Sequence, residues 1–122
     1  MGPTHLIKLS GGAYSDGSTW ENGSSKQYKE NIRNLETDDA ISALEELNPT
    51  RFYYKNDKND EKLGFIAEDV PDLVATESRK GLSAMDITAV LVKVVQKQQK
   101  MIENQAKINA KLMKRIEKLE EE

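Results

Sequence analysis

Ser24 and Lys29 are the two residues of this chain whose types and spacing best suit covalent chemistry. They lie in the stretch S-S-K-Q-Y-K-E-N-I, residues 24–32, directly after a run of Gly, Ser, Asp and Asn. A serine hydroxyl becomes a nucleophile only when a base takes its proton, and a neutral lysine amine is such a base. Lysine titrates near ~10.4 in water, so it must be desolvated or set beside another cation to serve near neutral pH. Lys26, three residues before Lys29, is a candidate for that cation. Spacing adds a condition. Five residues along a helix is about 140° of rotation, and an odd spacing in a strand places two side chains on opposite faces. Ser24 and Lys29 therefore meet only if the chain turns between them, or if the lysine comes from a neighbouring subunit. Backbone N–H groups left free at a helix start beside Ser24 would also stabilise an oxyanion.

The same stretch has a plainer reading. Ser24-x-x-Gln27 fits a capping box, with Ser24 as N-cap and Gln27 reaching back to it. Lys26, Lys29 and Glu30 are then solvated helix residues, and Ile32 is the first buried one.

Other chemistries are poorly supplied. With no cysteine, the chain has no disulfide, no thiolate nucleophile and no Cys-based zinc site. His5 is the single histidine and sits near the start, where it reads as a solvated end. A net charge of −3, from 18 basic and 21 acidic residues, gives no reason to expect nucleic-acid binding. No apolar run approaches the ~20 residues of a membrane span, and residues 1–9 lack a signal-peptide pattern. A soluble chain is the expectation.

The elements that must position the pair can be read in order. Residues 5–9 alternate weakly and suit a strand. Residues 10–25 hold S-G-G, S-D-G-S and N-G-S-S, with Tyr14 and Trp20 as large anchors, so turns with short strands around 13–14 and 19–20 are expected. Thr37 is a good N-cap, followed by Asp38 and Asp39 where the helix dipole favours anions. Ile41, Leu44 and Leu47 recur at helical spacing until Asn48-Pro49 stops the helix. R-F-Y-Y-K at 51–55 and L-G-F-I-A at 63–67 flank a polar turn, N-D-K-N-D, and predict a β-hairpin.

From Asp86, read as an N-cap, no Gly or Pro interrupts the chain through residue 122. Leu91, Gln98, Gln105, Leu112 and Leu119 recur every seven residues at d positions. Val95, Ile102, Asn109 and Ile116 form the matching a column. A third column, Ile87, Val94, Met101 and Ile108, widens the apolar face, which suits three or more helices or packing on the chain's own globular part. Gln98, Gln105 and Asn109 weaken the seam while restricting its register. Hydrophobic residues are only 37% of the chain and charged ones 32%, so the core is thin and self-association through this helix is the natural supplement.

Taken together, these segments resemble a family: the self-cleaving C-terminal intramolecular chaperone domain of phage tail spikes, neck appendages and endosialidases. The carriers are Trp20, S-S-K-Q-Y-K-E-N-I-R-N-L at 24–35, the acid-capped helix ending L-N-P, R-F-Y-Y-K, G-F-I-A-E-D-V-P at 64–71, and the long terminal helix. The resemblance implies Ser24 as nucleophile, Lys29 as its base and the Gly23–Ser24 peptide as the bond cut, with no metal or cofactor. Gln27 stands where the family usually has arginine, and Lys26 is placed to replace part of that charge.

The expected architecture is α+β: short strands, a β-hairpin and a short helix, with a long C-terminal helix forming a trimeric coiled coil or helical bundle. Residues 1–23 would be the end of a parent fibre, 24–85 the globular chaperone and 86–122 the oligomerisation helix. The implied partners are two further copies of the chain and an N-terminal triple-stranded β-helical stalk, with no nucleic acid and no membrane. The implied setting is the host cytoplasm during virion assembly, with release from the mature appendage. Two other readings fit the same residues: a non-cleaving structural trimerisation module, and an adaptor whose long helix pairs with another protein.

Overall fold

The computed structural model describes residues 7–121, which form two compact units, one running to Asn34 and one from Leu35 onward. His5 lies outside the described residues, as does the first part of the strand expected over 5–9.

The first unit is a meander of three two-residue strands, β1 (Ile7–Lys8), β2 (Tyr14–Ser15) and β3 (Trp20–Glu21), antiparallel in the order β1-β2-β3. Ile7 pairs with Ser15, and Ser15 in turn with Trp20. Leu9 donates its N–H to the Ala13 carbonyl at 2.8 Å and closes the β1–β2 loop. Gly12 donates to the Leu9 carbonyl at 3.1 Å. Gly12 has φ +90°, a conformation that glycine adopts without steric cost. The β2–β3 turn is organised by Asp16, whose Oδ1 accepts from the Ser18 N–H at 2.9 Å, the Thr19 N–H at 2.8 Å and the Ser18 hydroxyl at 2.9 Å. Short polar side chains that bond their own backbone two and three residues on are a common turn device. The turns expected between 10 and 25 are therefore present, with strands within a residue of their expected places.

In the second unit, α1 (Thr37–Glu46) carries Asp38 and Asp39 in its first turn. Thr37 is the first helical residue rather than the N-cap. That place belongs to Glu36, extended at ψ 139°, whose carbonyl accepts the first helical bond from Ala40 at 3.1 Å. The helix stops at Leu47, before Asn48-Pro49. Strands β4 (Thr50–Tyr54) and β5 (Asp57–Gly64) make the hairpin, with Thr50 opposite Gly64 and Phe52 opposite Lys62. The polar stretch expected as the turn is mostly strand, and the turn itself is Lys55-Asn56. Both faces of β5 are exposed over most of its length, so no apolar alternation marks it in sequence.

Two short 3₁₀ turns, Ala67–Asp69 and Asp72–Val74, bring Val70, Pro71 and Val74 into the interior. Arg79, at φ +53°, braces this region: its Nη1 donates to the Val70 carbonyl at 3.2 Å and its Nη2 pairs with Asp72. Ala75 and Leu82 form an isolated bridge, and Thr76 Oγ1 donates to the Gly81 carbonyl at 2.9 Å.

Helix α2 (Ala84–Glu120) is capped three residues earlier than expected. Ser83 is its N-cap, accepting from the Asp86 N–H at 3.4 Å, and Asp86 sits inside the first turn. The buried core is Ala40 and Ala43 of α1, Val70, Val74, and Ile87, Val90 and Val94 of α2. Leu35, Ile41, Leu44, Leu47 and Phe65 pack around it, half-buried. The innermost α1 residues are thus alanines rather than the larger Ile and Leu, since small side chains at a helix contact let the two helices approach closely.

The third column of α2 divides in two. Ile87 and Val94 are buried within this core, whereas Met101 and Ile108 are exposed. At 3.6 residues per turn, Leu91 and Val95 lie about 40° and about 80° round the helix from Ile87. Leu91, Val95, Ile102, Leu112, Ile116 and Leu119 are all exposed, and no described residue of the helix after Val94 is buried. The architecture is α+β with antiparallel strands and a long C-terminal helix. No helix among the described residues is long and apolar enough to cross a membrane.

Candidate active site

Residues 24–29 fold into a single turn. Ser24 leaves the meander, Ser25 is extended at φ −62° and ψ 144°, Lys26–Tyr28 form one 3₁₀ turn, and Lys29 is extended again at φ −123° and ψ 151°. Tyr28 donates its N–H to the Ser25 carbonyl at 3.0 Å and Lys29 to the Lys26 carbonyl at 3.2 Å. The cap is Ser25, whose Oγ accepts from the Gln27 N–H at 3.3 Å. The capping box centred on Ser24 is therefore corrected. Ser24 takes no part in capping, because the turn is too short for a four-residue box and begins one residue later. Its hydroxyl is left for another partner.

That partner is Lys29. Nζ of Lys29 lies 2.7 Å from Oγ of Ser24. The condition set by spacing is met within one chain: a 3₁₀ turn flanked by two extended residues brings position 29 back to position 24. At this distance an ammonium donates to the hydroxyl oxygen, and a neutral amine would accept the hydroxyl proton. Both side chains are exposed, as are Lys26 and Gln27. Among the described residues no carboxylate pairs with Lys29. Asp16 is committed to its own turn, and among the described residues Glu30 forms no ion pair. Among the described residues, no group of three or more His, Cys, Asp or Glu is placed to hold a metal ion.

The residue before the pair is tightly enclosed. Gly23 is half-buried against the β1–β2 loop, with Gly11 and Gly12 its nearest neighbours, and the ring of Tyr28 lies on Gly12. Sequence reading placed a turn at S-G-G but not this contact. The adjacent glycines were the available signal, since paired glycines often mark a close backbone approach.

Residues 24–78 match the family model described as the chaperone of endosialidase. This segment belongs to the family of C-terminal intramolecular chaperone domains. The family is classed as a peptidase of the serine type. The chaperone-domain match takes in the Ser24–Lys29 turn, α1, the hairpin and the Arg79-braced region as far as Ser78, and it stops short of α2. No curated protein and no solved structure matches the chain significantly.

Proposed function

We propose that this chaperone domain trimerises through α2, sets the register of a parent phage fibre or tail spike, and then releases itself by cutting the Gly23–Ser24 peptide. The single observation that carries the reading is the 2.7 Å contact between Lys29 Nζ and Ser24 Oγ, formed by the two residues that the family resemblance assigns to catalysis. The match to the family model also begins at Ser24.

The chemistry needs only this pair, the peptide and water. Lys29, as a neutral amine, takes the Ser24 hydroxyl proton while Oγ bonds to the carbonyl carbon of Gly23. The C–N bond then breaks, and the resulting ammonium returns its proton to the leaving α-amine of Ser24. Water hydrolyses the ester formed between Gly23 and Oγ, leaving a Gly23 carboxylate and a free Ser24. The reaction happens once per chain.

A base role requires a desolvated lysine, and Lys29 is exposed in the single chain. We place the contact that covers it in the assembled trimer, so that cleavage follows assembly. The exposed a and d columns of α2 support the assembly step: apolar residues repeated on one face without an intrachain partner suit a coiled-coil seam. Removing the aligning domain after folding would leave the fibre kinetically hard to unfold. The setting proposed is the host cytoplasm during virion assembly.

The deciding experiment is intact-mass spectrometry of the purified chain over time. Cleavage yields fragments of 23 and 99 residues, both lost in Ser24→Ala. A chain that stays whole while trimeric would establish the structural trimerisation module instead.

A further inference from the structure

The loop between β1 and β2 closes against Gly23, the residue before the bond assigned for cleavage. A methyl group added at Gly23 would lie 2.9 Å from both the carbonyl carbon and the Cα of Gly12, and would overlap the Gly11 carbonyl oxygen. A methyl group added at Gly12 would meet Cε2 of Tyr28 at 2.9 Å and Cα of Gly23 at 3.2 Å, on a backbone at φ +90° that disfavours side chains. Gly12 is therefore packed between the Gly23 backbone and the Tyr28 ring. Tyr28 ends the 3₁₀ turn and immediately precedes Lys29. One ring thus links the turn that returns the lysine to the loop that borders Gly23.

We propose that Gly11, Gly12 and Tyr28 are positioning residues for self-cleavage, and that they restrict the residue before the cut to glycine. The proposal rests on the autoproteolysis reading above. Ser24 Oγ and the Gly23 carbonyl are joined through a flexible backbone, and glycine has the widest torsional freedom of any residue. Something must hold the carbonyl toward the hydroxyl, because a misplacement of about 1 Å can cost about 100-fold in rate. The loop supplies that wall. Its shape depends on β1 pairing with β2 and on the Leu9–Ala13 and Gly12–Leu9 hydrogen bonds. Folding of the segment upstream of the cut therefore licenses the cut. A fibre end that has not formed its meander would leave Gly23 unheld and the chaperone attached.

The test follows appearance of the 23- and 99-residue fragments in the full chain and in Gly23→Ala, Gly12→Val, Tyr28→Ala and Tyr28→Phe. Helicity and sedimentation are recorded for each. Gly23→Ala, Gly12→Val and Tyr28→Ala are expected to cleave about 100-fold more slowly, with an unchanged pH dependence and an unchanged oligomer. Tyr28→Phe keeps the ring on Gly12 and is expected within about twofold of the parent rate. Tyr28 is largely exposed at 58%, so its two variants remain informative if Gly12→Val unfolds the loop. Parent-like cleavage by Tyr28→Ala or Gly23→Ala overturns the inference and leaves autoproteolysis standing. Tyr28→Phe as slow as Tyr28→Ala overturns the packing role. A parent chain that never cleaves overturns the autoproteolysis reading and this inference with it.

Discussion

Lys29 Nζ and Ser24 Oγ are 2.7 Å apart across a single 3₁₀ turn of the same chain. The geometry makes a sharp demand on both residues. Ser24→Ala removes the proposed nucleophile and Lys29→Ala the proposed base, and each is expected to slow cleavage by about a thousandfold or more. Lys29→Arg is the more telling change. Arginine keeps the charge but does not deprotonate in proteins, so it should be as inactive as alanine. Intact mass after prolonged incubation distinguishes these outcomes, and parent-like cleavage in Lys29→Arg would remove the general-base role.

Assembly and cleavage are expected to be coupled through α2. Ile102 and Ile116 occupy exposed a positions, at 63% and 49% exposure. Replacing both by Asp would put charge in the proposed seam and should leave a monomer by sedimentation equilibrium at tens of micromolar. The core would be untouched, because nothing after Val94 contributes to it. If Lys29 becomes a base only when covered, the same double variant should also stop cutting. Full-rate cleavage by the monomer would separate the two events.

In the proposed seam, Asn109 and Gln105 would restrict the register. Gln105 Nε2 donates to Asn109 Oδ1 at 2.8 Å along the helix. Asn109→Ile should raise the melting temperature of the assembled helix and broaden its oligomeric distribution, since a polar a residue fixes register at a cost in stability. Thermal melts paired with sedimentation velocity measure both effects.

The core of the second unit is small enough for single substitutions to matter. Ala40 is fully buried between the two helices, and Ala40→Leu is expected to cost about 1–3 kcal/mol by overpacking. Val90→Ala, at a position 2% exposed, should cost about 2 kcal/mol through the cavity it leaves. Urea titration of the helical signal reads both.

Asp16 sets a pH limit on the meander. The Ser18 N–H, then the Thr19 N–H, then the Ser18 hydroxyl hold its carboxyl down to about 2, from an ordinary 3.8. A carboxyl lowered in the folded state adds stability that is fully present above its unfolded value and disappears as pH falls through the folded one. The β2–β3 turn should therefore be intact above about pH 4 and loosen toward pH 2. Amide NMR shifts of Ser18 and Thr19 should titrate in that window, and Asp16→Ala should abolish the titration.

Local patterns are what the sequence by itself determined. The uninterrupted heptads after residue 86, the Asp-rich start of α1, the turn residues of 10–25 and the identity of Ser24 and Lys29 all depend on neighbours within a few positions. The three-dimensional structure decided which local option formed, and everything that depends on distant partners. It moved the cap from Ser24 to Ser25 and freed the Ser24 hydroxyl for Lys29. It buried Ala40 and Ala43 ahead of Ile41 and Leu44, because helix-to-helix distance is set by both helices together. It made β5 from polar residues, where backbone pairing with β4 replaces an apolar face. It split one apolar column of α2 between an intrachain core and solvent. The approach of Gly23 to Gly11 and Gly12, with the Tyr28 ring on Gly12, joins residues up to 16 positions apart, and no periodicity encodes a contact of that kind.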